Sequence, residues 1–183
     1  MKSRSIRSHL KPYSIFHERR TTVAHAFASA LAPSDPYVES EVIEALTALA
    51  QTDLDHLVCV YCRAEATTWD HLVNLVKDGK LNGYGHQLGN LVPCCSPCNS
   101  SKGGADFREF VRSLKCHDEE KDVLIQRLEN HLARAKRVTL PSAGSKAESA
   151  NKELEALQQQ ILDLMRKADD QAAIVRQLVQ QGL

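Results

Sequence analysis

The sequence predicts an α+β fold: a small strand-and-helix core pinned by cysteines, flanked by helices and followed by one long helix. Three features of the 183 residues carry that expectation. Two Cys-x-x-Cys pairs, Cys59/Cys62 and Cys95/Cys98, bracket a segment containing two strand-prone runs. A short helix signal begins inside the second pair. Residues 147–181 carry apolar side chains at alternating three- and four-residue steps with no Gly or Pro among them.

In chain order, residues 1–17 form a basic arm. Residues 1–20 hold Lys2, Arg4, Arg7, Lys11, Arg19 and Arg20 against Glu18, a net charge of +5. Two readings stand, an arm that orders on nucleic acid and a frayed solvated tail. Residues 18–55 read as a helical pair. The first helix runs from Glu18 to Ala32 and stops at Pro33. Asp35 is expected as N-cap and Pro36 at the first position of the second, which carries Val38, Val42, Leu46 and Leu49 to about Gln51. Residues 21–62 have no Lys or Arg and six acids, so this pair is expected to pack on the core and not lie on DNA.

Residues 56–116 form the expected core. Residues 56–64 make the first cysteine knuckle, Thr67-Thr68-Trp69 lead a strand into His71, and Leu88–Val92 give a second strand. Lys77 to Gly85 is a loop rich in turn formers, offering Lys77 and Lys80 as substrate contacts. A helix starts near Pro97 and ends by Lys102-Gly103-Gly104. Asp106 caps a short helix over Phe107–Lys115 that presents Arg108. A flanking helix over 117–138 starts at Asp118 and is expected to end on Arg134, Lys136 and Arg137, which serve either the helix dipole or nucleic acid. Residues 139–146 read as a linker. Over 147–181 the apolar seam reads as a coiled coil, with a helix folded back on its own chain as the alternative.

Two chemistries are interleaved between Cys59 and Lys102. Zinc takes four soft ligands in a tetrahedron, and each CxxC turn supplies two thiolates, so Cys59, Cys62, Cys95 and Cys98 are the expected structural zinc ligands. Four unrelated core thiols, or disulfides, are the alternatives. Asp70 and Asn99 offer hard oxygen ligands suited to a magnesium-type ion. His71, neutral near pH 7, can take a proton from water. Asn99 directly follows Cys98, so the knuckle fixes its position. These parts suffice for metal-assisted phosphodiester hydrolysis.

The ordered residues Asp70-His71, Asn90-Leu91 and Cys95-Ser96-Pro97-Cys98-Asn99-Ser100-Ser101-Lys102-Gly103 resemble the HNH endonuclease family, in its subtype with two zinc-binding CxxC knuckles. The resemblance covers roughly residues 56–107. It implies a ββα-metal fold with structural zinc and a catalytic Mg2+ or Mn2+. It also implies that His71 is the general base, that Asp70 and Asn99 are ligands of the catalytic ion, and that Asn90 holds the loop presenting His71. His86 stands where many relatives carry a His, and is expected either to touch substrate or to close its own loop. Lys102 is a phosphate-contact candidate. The sequence departs from the family pattern at Asn74 and over Lys77–Tyr84, which puts substrate choice in doubt more than chemistry.

Lys plus Arg and Asp plus Glu each number 23, so formal net charge is zero, but the basic arm and the acidic helical pair divide it unevenly. No apolar run approaches a membrane span, and the basic N-terminus lacks the apolar stretch of a signal peptide. The expected setting is soluble, reducing and cytoplasmic. The expectation is therefore a metal-dependent DNA endonuclease of restriction or mobile-element type, acting on double-stranded DNA as a homodimer joined by the C-terminal helix. The rival is a non-catalytic zinc module that binds nucleic acid or protein.

Overall fold

The computed structural model describes residue 6, residues 10–139 and residues 144–182, so residues 1–5 and 7–9 of the expected basic arm and residues 140–143 of the expected linker lie outside the described residues. The elements are α1 (Ile15–Ala30), α2 (Glu39–Ala48), β1 (Thr68–His71), β2 (Val76–Lys77), β3 (Lys80–Leu81), β4 (Leu91–Cys94), α3 (Ser96–Lys102), α4 (Phe107–Ser113), α5 (Asp118–Leu132) and α6 (Lys146–Gln180). The architecture is α+β and mostly helical, with two small antiparallel sheets, β1–β4 and β2–β3, and a long C-terminal helix.

The chain divides into two units, Ala28–Leu140 and Met1–Phe27 with Pro141–Leu183. In the first, β1 and β4 pair with Thr68 opposite Cys94 and His71 opposite Leu91. Side chains alternate between the faces of a strand. Leu72, Val92 and Cys94 are buried with Phe107, Val111 and Leu128, which α4 and α5 bring to the same core. Leu46 and Leu49 are buried too, and Arg134 ties the end of α5 to Glu44 on α2 at 3.0 Å. Gln51 braces the first cysteine knuckle: its carboxamide accepts from Val58 N–H at 2.9 Å and donates to Val58 C=O at 3.1 Å.

Four local expectations change. Helix α2 starts at Glu39 with Val38 as an N-cap lacking a side-chain bond, because the Asp35 carboxylate accepts from Leu88 N–H at 2.8 Å instead of capping. The expected loop after Lys77 is a hairpin whose turn, Asp78-Gly79, has φ of 52° and 75°, the pair of positive values a tight hairpin turn needs. The second strand begins at Leu91, since Leu88–Asn90 is a single 3-10 turn. Helix α5 ends at Leu132, so Arg134, Lys136 and Arg137 lie beyond its last turn.

In the other unit, Asp169 of α6 caps the start of α1. Its carboxylate accepts from Ser14 Oγ and Ile15 N–H at 2.7 Å and from Phe16 N–H at 3.0 Å. The Arg166 guanidinium lies 4.0 Å from the Phe16 ring centroid. Helix α6 buries no residue. No described helix is long and apolar enough to cross a membrane.

Candidate functional site

The four cysteines of the two pairs are brought together by two loops locked to one ribbon. In the first knuckle Cys59 N–H donates to Ala64 C=O at 2.7 Å and Arg63 N–H to Cys59 C=O at 2.9 Å, while Val60 N–H reaches back to Pro93 C=O of β4 at 3.1 Å. The second knuckle is the step from β4 into α3. Cys95 is the N-cap, and Thr67 Oγ1, at the entry to β1, accepts the Ser96 N–H at 3.1 Å.

The sulfurs of Cys59, Cys62, Cys95 and Cys98 consequently lie within 4.8 Å of one another, with Cys62 and Cys95 3.6 Å apart. A tetrahedral zinc site with bonds of about 2.3 Å sets its sulfurs about 3.8 Å apart. The four cysteines are thus positioned to hold a metal ion, and an all-thiolate set is the donor chemistry of structural zinc. Burial pushes the Cys98 and Cys62 thiols up, whereas the hydrogen bond with Cys94 holds Cys59 down. A bound cation would relieve that resistance to ionisation. Cys94 is fully buried in the core, its sulfur 3.9 Å from that of Cys59 and outside the quartet.

Beyond the quartet, β1 splits Asp70 from His71. Adjacent residues on a strand face opposite ways. Asp70 is buried: one carboxylate oxygen accepts from Tyr61 OH at 2.7 Å and the other from Lys102 Nζ at 3.1 Å. Lys102 also donates to His71 C=O at 2.8 Å. Its side chain is 0% exposed, which does not give it the phosphate contact expected of it. A buried ammonium is tolerated only when paired, and here its partner is the carboxylate expected to hold a catalytic ion.

His71 meets His86 on the other face, Nε2 to Nδ1 at 3.2 Å, with the rings edge to face. Burial, then the neighbouring His86, pushes the His71 pKa below the ordinary imidazole value. The segment carrying His86 is clamped from outside the core sequence. His86 N–H donates to Pro33 C=O at 2.8 Å and Asp35 N–H to His86 C=O at 3.2 Å. A Cβ at Gly85 would stand 1.9 Å from the Pro33 carbonyl oxygen, so only glycine permits this approach.

Asn90 is fully buried and ties two loops. Its carboxamide accepts from Val73 N–H at 2.8 Å and donates to Val73 C=O at 3.0 Å and Gly85 C=O at 3.1 Å. That fixes the chain just after His71 and just before His86. Asn99 is half-buried on α3. It lies three residues before Lys102, on the helix face from which Lys102 reaches Asp70, and its side chain makes no hydrogen bond among the described residues. No protein-family model, curated protein or solved structure matches this chain.

Of the expected nucleic-acid contacts, Lys77 and Lys80 are exposed and stand opposite each other across the hairpin. A groove of about 400 Å³ runs beside Lys77, lined also by Asn74, Asp78, Asn82, Gly104 and Asp106. Arg108 is committed elsewhere: it bonds Glu129 at 2.6 Å and Asp106 at 3.3 Å, so two carboxylates offset its charge. Two participants went unread in the sequence. Tyr61 sits at an unconstrained position of the first CxxC turn, where no pattern announces its bond to Asp70. Pro33–Asp35 looked like the boundary between two helices, and nothing local signals its grip on His86.

Proposed function

We propose that the chain is a metal-dependent DNA endonuclease of the HNH type, stabilised by structural zinc. The observation that carries the reading is the setting of His71. It ends the first strand of an antiparallel ribbon, its loop is held by Asn90, and the second strand passes through a cysteine knuckle into a helix bearing Asn99. His71 is half-buried and its pKa is pushed down, so at neutral pH it is an unprotonated base. In the tautomer in which Nε2 donates its proton to His86 Nδ1, Nδ1 is the nitrogen that would take a proton from water.

A divalent ion, Mg2+ or Mn2+, would supply Lewis-acid polarisation of the phosphate and stabilise the leaving oxygen. Asn99 would hold that ion, joined by Asp70 once Lys102 gives up the oxygen it now bonds. Lys77 and Lys80 would meet the backbone phosphates of double-stranded DNA. The exposed apolar face of α6 would join two copies, so that two sites act on one substrate.

One observation favours the rival reading, a zinc-binding interaction module without catalysis: the Asp70 carboxylate is already satisfied by Lys102 and Tyr61. Incubation of zinc-loaded protein with supercoiled plasmid, single-stranded DNA and RNA in Mg2+ or Mn2+ separates the two. Nicking or linearisation of the plasmid is expected. Inertness toward all three substrates at full zinc content would favour the module.

A further inference from the structure

Helix α6 presents an apolar seam that its own chain does not cover. Leu157, Ile161, Leu164, Val175 and Leu178 are 39–61% exposed, and they continue the four-three spacing that starts at Ala147. Five heptads exceed the three or four that mark a coiled coil. Arg166, over the Phe16 ring, and Asp169, which caps the start of α1, occupy positions on the back of the helix relative to this seam. The seam is open and needs a partner helix.

We infer that the partner is a second copy of α6, running antiparallel and overlapping along the whole seam. The seam is small at its N-terminal end, with Ala147 and Ala150, and large at its C-terminal end, with Val175 and Leu178. Antiparallel pairing sets Ala147 against Leu178 of the second copy and Ala150 against Val175. Towards the middle it sets Leu157 against Ala168 and Ile161 against Leu164 of the second copy. Three of the five facing pairs then set a large position against a small one, while Ile161–Leu164 and Leu154–Gln171 fill the remaining layers. Parallel pairing would instead stack alanine on alanine at three levels, leaving voids, whereas Gln171 enters the seam in either orientation.

Charge is compatible with this register without selecting it. Lys167 flanks Gln160 of the second copy and Glu153 flanks Ile174, so no like charges meet across the seam. The helix dipoles also run in opposition. This pairing is self-complementary and closes on itself with two-fold symmetry. At 1.5 Å rise per residue, the two Lys146 ends stand about 50 Å apart. If the nuclease reading holds, the paired helices deliver their linkers from opposite ends and not side by side. The pairing itself does not depend on that reading.

The test uses full-length, zinc-loaded protein carrying Cys116→Ser, because Cys116 is an exposed thiol. Ala147→Cys and Leu178→Cys are made separately, given tags of different size, mixed, and treated with a short bis-maleimide. Antiparallel pairing predicts a cross-linked heterodimer in the mixture, none from Ala147→Cys alone, and none from the parent. Self-cross-linking of Ala147→Cys would establish a parallel pair and overturn the proposal. So would a parent that stays monomeric by light scattering across a hundred-fold concentration range. As a second variant, Ile161→Asp is expected to weaken self-association at least ten-fold with zinc content unchanged; unaltered association would count against the seam.

Discussion

The residues around the cysteine quartet and the residues of α6 satisfy their side chains in opposite ways. Around the quartet most polar groups have a partner in the same chain, Lys102 with Asp70, Asn90 with Val73 and Gly85, His86 with Pro33 and His71, Asn99 being an exception among the described residues. Helix α6 is 35 residues long, buries none of them, and leaves Leu157, Ile161, Leu164, Val175 and Leu178 exposed to solvent. The first is a region whose geometry is fixed before any partner arrives. The second is an exposed apolar surface that the proposed second copy would cover. Preorganisation belongs to a site, and an open seam belongs to an interface.

The largest effect that separates the regions should come from removing the metal. Strong chelation, or Cys98→Ser, should release zinc and unfold the knuckle and ribbon, because binding energy at a structural site is folding energy. The single Trp, Trp69 on β1, should report this as a fluorescence change, while the helical circular-dichroism signal of α6 persists. Loss of both signals together would show that the regions are not energetically separate.

Next is the buried ion pair. Lys102→Met leaves the Asp70 carboxylate buried beside Tyr61 alone and should cost about 3–5 kcal/mol in urea unfolding. Tyr61→Phe removes one hydrogen bond to the same carboxylate and should cost about 1.5–3 kcal/mol. A Lys102→Met protein as stable as the parent would mean that the pair is not formed in solution.

A smaller effect concerns His131 on α5, which is buried with Nε2 3.0 Å from Leu91 C=O and a second ring nitrogen without a partner. Burial pushes its pKa below the ordinary imidazole value. The neutral form is therefore the folded form. Its stabilisation is complete above about pH 6.5, the unfolded value, and is lost as pH falls through the lower folded value. Denaturation midpoints at pH 7.5 and pH 5.5 should show the loss, and His131→Gln should flatten the difference.

Much of the core was legible because spacing alone carries it. Paired CxxC turns announce a metal quartet, strand-prone residues before His71 announce β1, and Asp106 announces the start of α4, whose Arg108 N–H it accepts at 2.8 Å. The Asp70–Lys102–Tyr61 cluster was not legible. Periodicity places a lysine on a helix, but not whether the helix turns that lysine inward, and a buried ammonium is rare enough to be missed. Asp35 misled for a related reason. An Asp-Pro step is an equally good helix start or loop clasp until the tertiary partner, Leu88 N–H, is known. On α6 the heptads were legible, but sequence spacing does not distinguish a self-packed stripe from an open one.

The most direct test of the nuclease account compares wild type with His71→Ala on supercoiled plasmid in Mg2+ or Mn2+, with zinc measured in both samples. The account predicts cleavage by wild type and a loss of about 10²-fold or more in the variant at equal zinc content. Equal cleavage by both proteins, or none by either, would contradict it.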